Sequence, residues 1–180
     1  MKYHPGVDAI IEEILIVGTL AQCSLVSLSN LRTVPYFSGL VTDRAAQLLM
    51  EKLLAISIKV RFLDDSTDLL KKFDRRIITI GKYTEDGVDC KSEICIRNVL
   101  NKLVHHKTID VSIQLRDIFV TGVTFKEGTK YSKTLPPGSH KVEHVMVAVE
   151  GYYSKKLWRF EIDLFILLEE LLRVFELSGH

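Results

Sequence analysis

Three residues of one short segment carry side chains suited to chemistry on a phosphodiester: Arg97, Asn101 and His105. They recur every four positions, and residues four apart share one face of a helix. At about 100° per residue they lie within roughly 80° of one another. Arginine supplies a permanent charge and a planar donor fork, and histidine titrates near neutrality and can move a proton. Such a trio suits metal-independent RNA cleavage, in which a base activates the ribose 2′-OH and a cation stabilises the phosphorane. His105 is then the candidate general base or acid, Arg97 the phosphate clamp and Asn101 the orienting group. Asn98, Lys102 and His106 are candidate substrate contacts on the same segment. The plainer alternative is a solvated polar face with His105 or His106 capping the helix C-terminus, where positive charge is favoured.

The element that must hold these residues is a helix over 93–106. Its apolar positions 96, 99, 100, 103 and 104 follow the stripe of an amphipathic helix, and Ser92 is its candidate N-cap. Upstream, Pro5 stands near the start of a first helix, Val7 to Leu28, which is apolar nearly all round after Glu13 and is therefore expected to be central. Residues Ser29 to Thr42, with Pro35 and Gly39, read as a loop or a broken short helix. Thr42 and Asp43 are then expected to cap a long second helix with the stripe Leu49, Leu53, Ile56, Val60 and Leu63. Its outward residues are Glu51, Lys52, Lys59 and Arg61, and Asp64 to Thr67 end it. A short helix, Asp68 to Phe73, precedes a β-branched run, Arg75 to Ile80, read as a strand. Glu85-Asp86-Gly87 is a turn.

After His106 the period changes from 3.6 to 2. Ile109, Val111, Ile113 and Leu115 alternate with polar residues as a half-buried strand, and Ile118 to Phe125 reads as its partner. A polar loop spans Lys126 to Lys141. Val145, Val147 and Val149, then Trp158, Phe160 and Ile162, form the last strands around a hairpin turn at Tyr153 to Lys156. Asp163 caps a final helix with the stripe Leu164, Leu168, Leu171 and Phe175. Segregated helices and strands give an α+β class: an N-terminal helical bundle core, a small antiparallel sheet and a closing C-terminal helix. A single domain over 1–180 is expected, with helical scaffold over about 7–106 and sheet plus final helix over about 107–177.

Composition narrows the function. Lys and Arg total 24 against 23 Asp and Glu, so there is no overall basic field for nucleic acid and any contact must use local patches. One patch is Lys71, Lys72, Arg75 and Arg76. The other is Lys126, Lys130, Lys133 and Lys141 with Lys155, Lys156 and Arg159, interleaved with Tyr131, Tyr152 and Tyr153. Three cysteines, Cys23, Cys90 and Cys95, follow no disulfide pattern and suit a reducing cytoplasm. The uncharged run Ile14 to Leu28 is too short and too polar to span a bilayer, so no membrane is expected. Cys95 falls on the apolar side of the helix and His105 on its polar side, and His140 and His144 share a strand face with no third ligand nearby. No metal and no cofactor is expected.

The string Ile96 to His105 resembles the helix signature of bacterial HEPN-like proteins, in which an Arg and a polar residue precede a His. The later elements, Leu100 to His106, Val145 to Ile162 and Asp163 to Leu177, look like those of bacterial proteins that combine such a helix with a Trp-containing hairpin and a final helix. The likeness covers the second half of the chain. The Arg-to-His spacing exceeds the family's usual one, so the motif is shifted or degenerate. The resemblance implies a metal-independent endoribonuclease or RNA-binding protein of a toxin–antitoxin or phage-defence system, with RNA as ligand. It also implies a homodimer or a partner protein of the same system. The alternative is a catalytically inactive binding or regulatory subunit.

Overall fold

The computed structural model describes residues 5–29, 35–72, 80–90, 95–120 and 138–177. Among the described residues there are four α-helices: α1 (Pro5–Ser29), α2 (Pro35–Thr67), α3 (Ile96–Val104) and α4 (Leu164–Leu177). The strands are β1 (Gly81–Glu85), β2 (Val88–Asp89), β3 (Thr108–Val120), β4 (Gly138–Tyr153) and β5 (Lys156–Asp163). All pairings are antiparallel, in the order β2-β1-β5-β4-β3. The chain is α+β, with an antiparallel sheet.

The division into a helical half and a small sheet does not survive. β1 lies inside the expected helical scaffold yet pairs with β5, and one apolar core draws on α1, α2, α3, α4, β4 and β5 together. The sheet is also larger than expected, because β3 and β4 run for 13 and 16 residues. β3 continues unbroken through Ile118 to Val120, so those residues extend the strand instead of forming a separate partner. Residues 138–141, expected in the polar loop, belong to β4. The expected strand Arg75 to Ile80 lies outside the described residues apart from Ile80, as do residues 121–125.

The long helices differ in similar ways. α2 starts at Pro35, where the missing N–H costs nothing, and passes through Thr42 and Asp43, which therefore cap nothing. Leu49, Leu53, Ile56 and Val60 are fully buried, as the stripe predicts. α1 buries one face only, Val7, Ile10, Ile14, Val17 and Ala21, while Leu15 and Ile16 face solvent. It is an outer helix rather than a central one, clamped to α2 by Glu13, whose carboxylate lies 2.9 Å from Lys59 and 3.7 Å from Lys52. Among the described residues, no helix is long and apolar enough to cross a membrane.

Two tight turns shape the sheet end. Asp86 and Gly87, and again Ser154 and Lys155, have positive φ at both central positions, the signature of type I′ hairpins. Asp86 clasps the neighbouring hairpin by accepting from the Leu157 N–H at 2.9 Å and donating its own N–H to the Leu157 carbonyl at 2.8 Å. β1 can approach β5 only because residue 81 is glycine. A Cβ there would meet the Glu161 carbonyl oxygen at 1.9 Å, and that oxygen is backbone and cannot swing away. Gly81→Ala is expected to destabilise by about 2 kcal/mol or more in urea denaturation, since the strand must move as a unit. Wild-type stability in this variant would remove the close approach from the account.

Candidate functional site

α3 is held against α2 by a polar network that begins with a misplaced carboxylate. Val60 and Asp64 stand four residues apart on the same buried stripe of α2, and Asp64 is fully buried. A buried aspartate must be paired and hydrogen-bonded. Asp64 Oδ1 accepts the Leu70 N–H at 2.7 Å, which fixes the turn after α2, and Oδ2 accepts from Arg97 Nη1. Arg97 Nη2 donates to Asp65 Oδ1 at 2.6 Å. Desolvation works against the Arg97 charge, but Asp64, Asp65 and Asp68 outweigh it and hold the guanidinium above its usual range. Arg97 is therefore an inter-helix brace with its charge already matched.

One turn further along α3 the neighbour is Arg61. Its Nη1 donates to Asn101 Oδ1, its Nη2 lies 3.8 Å from Asp65, and its Nε is buried with no acceptor among the described residues. An orphaned donor of this kind marks where a water or an anionic ligand completes the network.

Beside Arg61 opens a cleft of about 550 Å³, lined by Arg61, Asn101, Lys102, His105, Tyr152, Tyr153 and Trp158. α2 contributes the arginine, the last turn of α3 Asn101 and Lys102, the residue after α3 His105, and the β4–β5 hairpin the aromatics. Lys102 is the notable member. Its ammonium lies 4.2 Å from the Trp158 ring centroid and 4.9 Å from that of Tyr83, and it donates to the Tyr83 hydroxyl at 3.1 Å. No described carboxylate forms an ion pair with it. Desolvation pulls its pKa below the usual lysine value, with Glu85 opposing. Tyr83 in turn donates to Glu85 at 2.6 Å, and burial followed by that carboxylate pushes its pKa up, so it stays protonated. The result is a partly desolvated cation seated on π faces, with no carboxylate in ion-pair contact among the described residues and Glu85 reaching it through Tyr83.

The seat is built from a glycine. Trp158 is 3% exposed and its ring lies against Gly151, where a Cβ would meet Cζ2 at 2.4 Å. At the hairpin tip, Tyr152 and Tyr153 are exposed, and Lys107 stands 5.2 Å from the Tyr152 ring. Ser154 and Lys155 hold the left-handed turn conformation without glycine, a backbone strain that the hairpin packing must offset.

Of the residues expected from the sequence, Asn101, Lys102 and His105 reach the cleft. Arg97 does not line it, and neither does Asn98, which is exposed, nor His106. His105 is the residue that follows α3 and donates its N–H to the Asn101 carbonyl at 3.0 Å, leaving its exposed side chain at the cleft. His106 places Nδ1 2.6 Å from the Leu103 carbonyl, satisfying one of the helix's orphan acceptors. The helix is shorter than expected, starting after Cys95, which makes no side-chain cap; Ser92 and Glu93 lie outside the described residues. Arg61, taken as merely outward, and Trp158, taken as core, are the cleft residues that sequence reasoning missed. The available signal was Asp64 on an apolar stripe, which demands cations from a facing helix.

The other candidates fare differently. His144 Nδ1 lies 2.6 Å from Asp163 Oδ2, and the same aspartate accepts the Ile166 N–H at 3.4 Å as the cap of α4. Among the described residues no group of three His, Cys, Asp or Glu could hold a metal, and no disulfide joins Cys23, Cys90 and Cys95. The cations at 75, 76, 126, 130 and 133, the side chains of Lys72 and Lys141, and Tyr131 lie outside the described residues. Fold and site together define an α+β protein with a cationic, aromatic-walled cleft. No family model, curated protein or solved structure matches the chain.

Proposed function

We propose that the protein binds single-stranded RNA in the cleft between the end of α3 and the β4–β5 hairpin. The observation that carries this reading is Lys102, a partly desolvated cation with no ion-paired carboxylate among the described residues, set among Arg61, His105 and exposed tyrosine rings. Phosphates pair with Arg61, Lys102 and His105, and unstacked bases lie on Tyr152 and Tyr153. Stacking of that kind requires bases freed from a duplex, which favours single strands. The likeness of α3 to the HEPN-like helix supports RNA as the nucleic acid and a bacterial cytoplasmic setting, in a toxin–antitoxin or phage-defence system.

Binding without cleavage is the form the geometry supports best, because Arg97 is committed to Asp64 and Asp65 and does not line the cleft. This is the catalytically inactive alternative with RNA as its ligand. A cleaving form has one observation in its favour: His105 stands in the cleft with Arg61 and Lys102, so the histidine would take the 2′-OH proton and those two cations, in place of Arg97, would stabilise the phosphorane.

Fluorescence anisotropy with a labelled RNA oligonucleotide, its DNA counterpart and the RNA duplex tests the reading. RNA affinity is expected to fall with salt and to drop about tenfold in Lys102→Met. It should also weaken as pH rises, beginning below the ordinary lysine value of 10.5, because the depressed pKa means Lys102 loses its proton early. In Lys102→Met that alkaline limb should vanish. Equal binding of all three nucleic acids, or none, would sink the proposal. Incubation with RNA and EDTA decides between binding and cleavage: products that disappear in His105→Ala would establish the cleaving form.

A further inference from the structure

The two edges of the sheet are treated very differently. At one end β2 is two residues long, so it exposes almost no unpaired backbone. At the other end β3 runs for 13 residues with one-to-one register against β4 and no bulge. Residues 108–120 contain no proline and no lysine. Long flat edges of this type are templates for another strand, and proteins that must avoid that outcome blunt them. Among the described residues nothing pairs with the outer side of β3.

The burial of β3 is also incomplete. On β4, Val145, Val147 and Val149 are fully buried, whereas Ile109, Val111 and Ile113 on the same face of β3 are only half-buried. Apolar residues left half-exposed along an edge that no described residue pairs call for further cover.

We infer that β3 pairs antiparallel with β3 of a second copy of this chain, about a two-fold axis at Ile113, to give a continuous ten-stranded sheet. The sequence selects that register. Pairing must keep each face in register, so the axis passes through a residue. With the axis at Ile113, position 110 faces 116, 111 faces 115 and 112 faces 114 of the partner. Asp110 thus opposes Arg116 twice, once on each side of the axis, and Val111 opposes Leu115. Ser112 and Gln114 pair as neutral polar residues. Moving the axis one residue to 112 sets Asp110 against Gln114 and Thr108 against Arg116. Moving it to 114 sets Asp110 against Ile118 and Val111 against Asp117. Within β3, residues 108–120, the Ile113 axis alone of these three matches opposite charges; it sets Asp117 against Ile109, and an isologous contact gains each charge match twice.

Analytical ultracentrifugation of the full chain is expected to show a concentration-dependent dimer. Asp110→Arg and Arg116→Asp should each weaken it about tenfold or more, because like charges then face each other on both sides of the axis. The two variants mixed should form a heterodimer. On one side of its axis the two introduced side chains meet with opposite charges, and on the other side the native Arg116 of one copy meets the native Asp110 of the other. No intrachain role of either residue would produce that rescue. As a measurement independent of folding in the variants, hydrogen exchange of the wild-type chain should show amides of 110–116 gaining protection with concentration. A wild-type monomer, a dimer indifferent to both substitutions, or exchange at 110–116 independent of concentration would overturn the inference.

Discussion

Replacing Trp158 with alanine is expected to cost about 3–5 kcal/mol of stability, the range for truncating a buried aromatic. The ring is 3% exposed, packs against Gly151 and joins the core that includes Phe160. Gly151 has no side chain to move into the space, and Lys102 would have to bring its charge along. The same change removes the surface on which the Lys102 ammonium rests, 4.2 Å from the ring centroid. RNA affinity should therefore fall with stability, while Trp158→Phe, which keeps an aromatic face beneath the cation, retains most of both. Urea denaturation followed by anisotropy on the folded fraction checks this. A Trp158→Ala protein within about 1 kcal/mol of wild type would mean the ring is not a structural part of the cleft wall.

Asp64→Ala carries the second large effect, a loss of about 3 kcal/mol. The carboxylate is fully buried and bonds two groups, the Leu70 N–H at the end of α2 and the Arg97 guanidinium of α3. Removing it strands a buried N–H donor and loosens α3 from α2. Arg97→Ala should shift the urea midpoint the same way, because it leaves the Asp64 carboxylate without its cation. In folded Arg97→Ala protein, RNA affinity should stay within roughly twofold of wild type, whereas Lys102→Met loses it. A strong affinity loss in Arg97→Ala with no loss of stability would restore Arg97 as the phosphate clamp and remove it as a brace.

These two residues show how far local pattern reaches. Alternation along 145–149 and 158–162, the turns at Asp86-Gly87 and Ser154-Lys155, and the stripes of α2, α3 and α4 were all legible, because each depends on neighbours within a few positions. Pro35 misled, because proline breaks a helix interior but starts a helix without penalty, and periodicity alone does not say which it is doing. The apolar run of α1 misled for another reason: it names residues that can be buried, not how many neighbours arrive to bury them.

By itself the sequence determined an α+β class, most element positions, and a polar face on α3 that includes the cleft residues Asn101, Lys102 and His105. Tertiary structure alone decided what those residues touch. Arg97 and Asp64 are 33 positions apart, Arg61 and Asn101 are 40 apart, and β1 finds β5 across more than 70. Spacing along a helix cannot distinguish an arginine facing a phosphate from one facing a buried aspartate, since both need the same side chain on the same face. What separates them is where α2 presents Asp64, and that is fixed by the packing of the whole core. The Arg97/Asn101/His105 face therefore divides in the fold: Arg97 turns to α2, and the other two turn to a cleft whose remaining walls come from α2 and the β4–β5 hairpin.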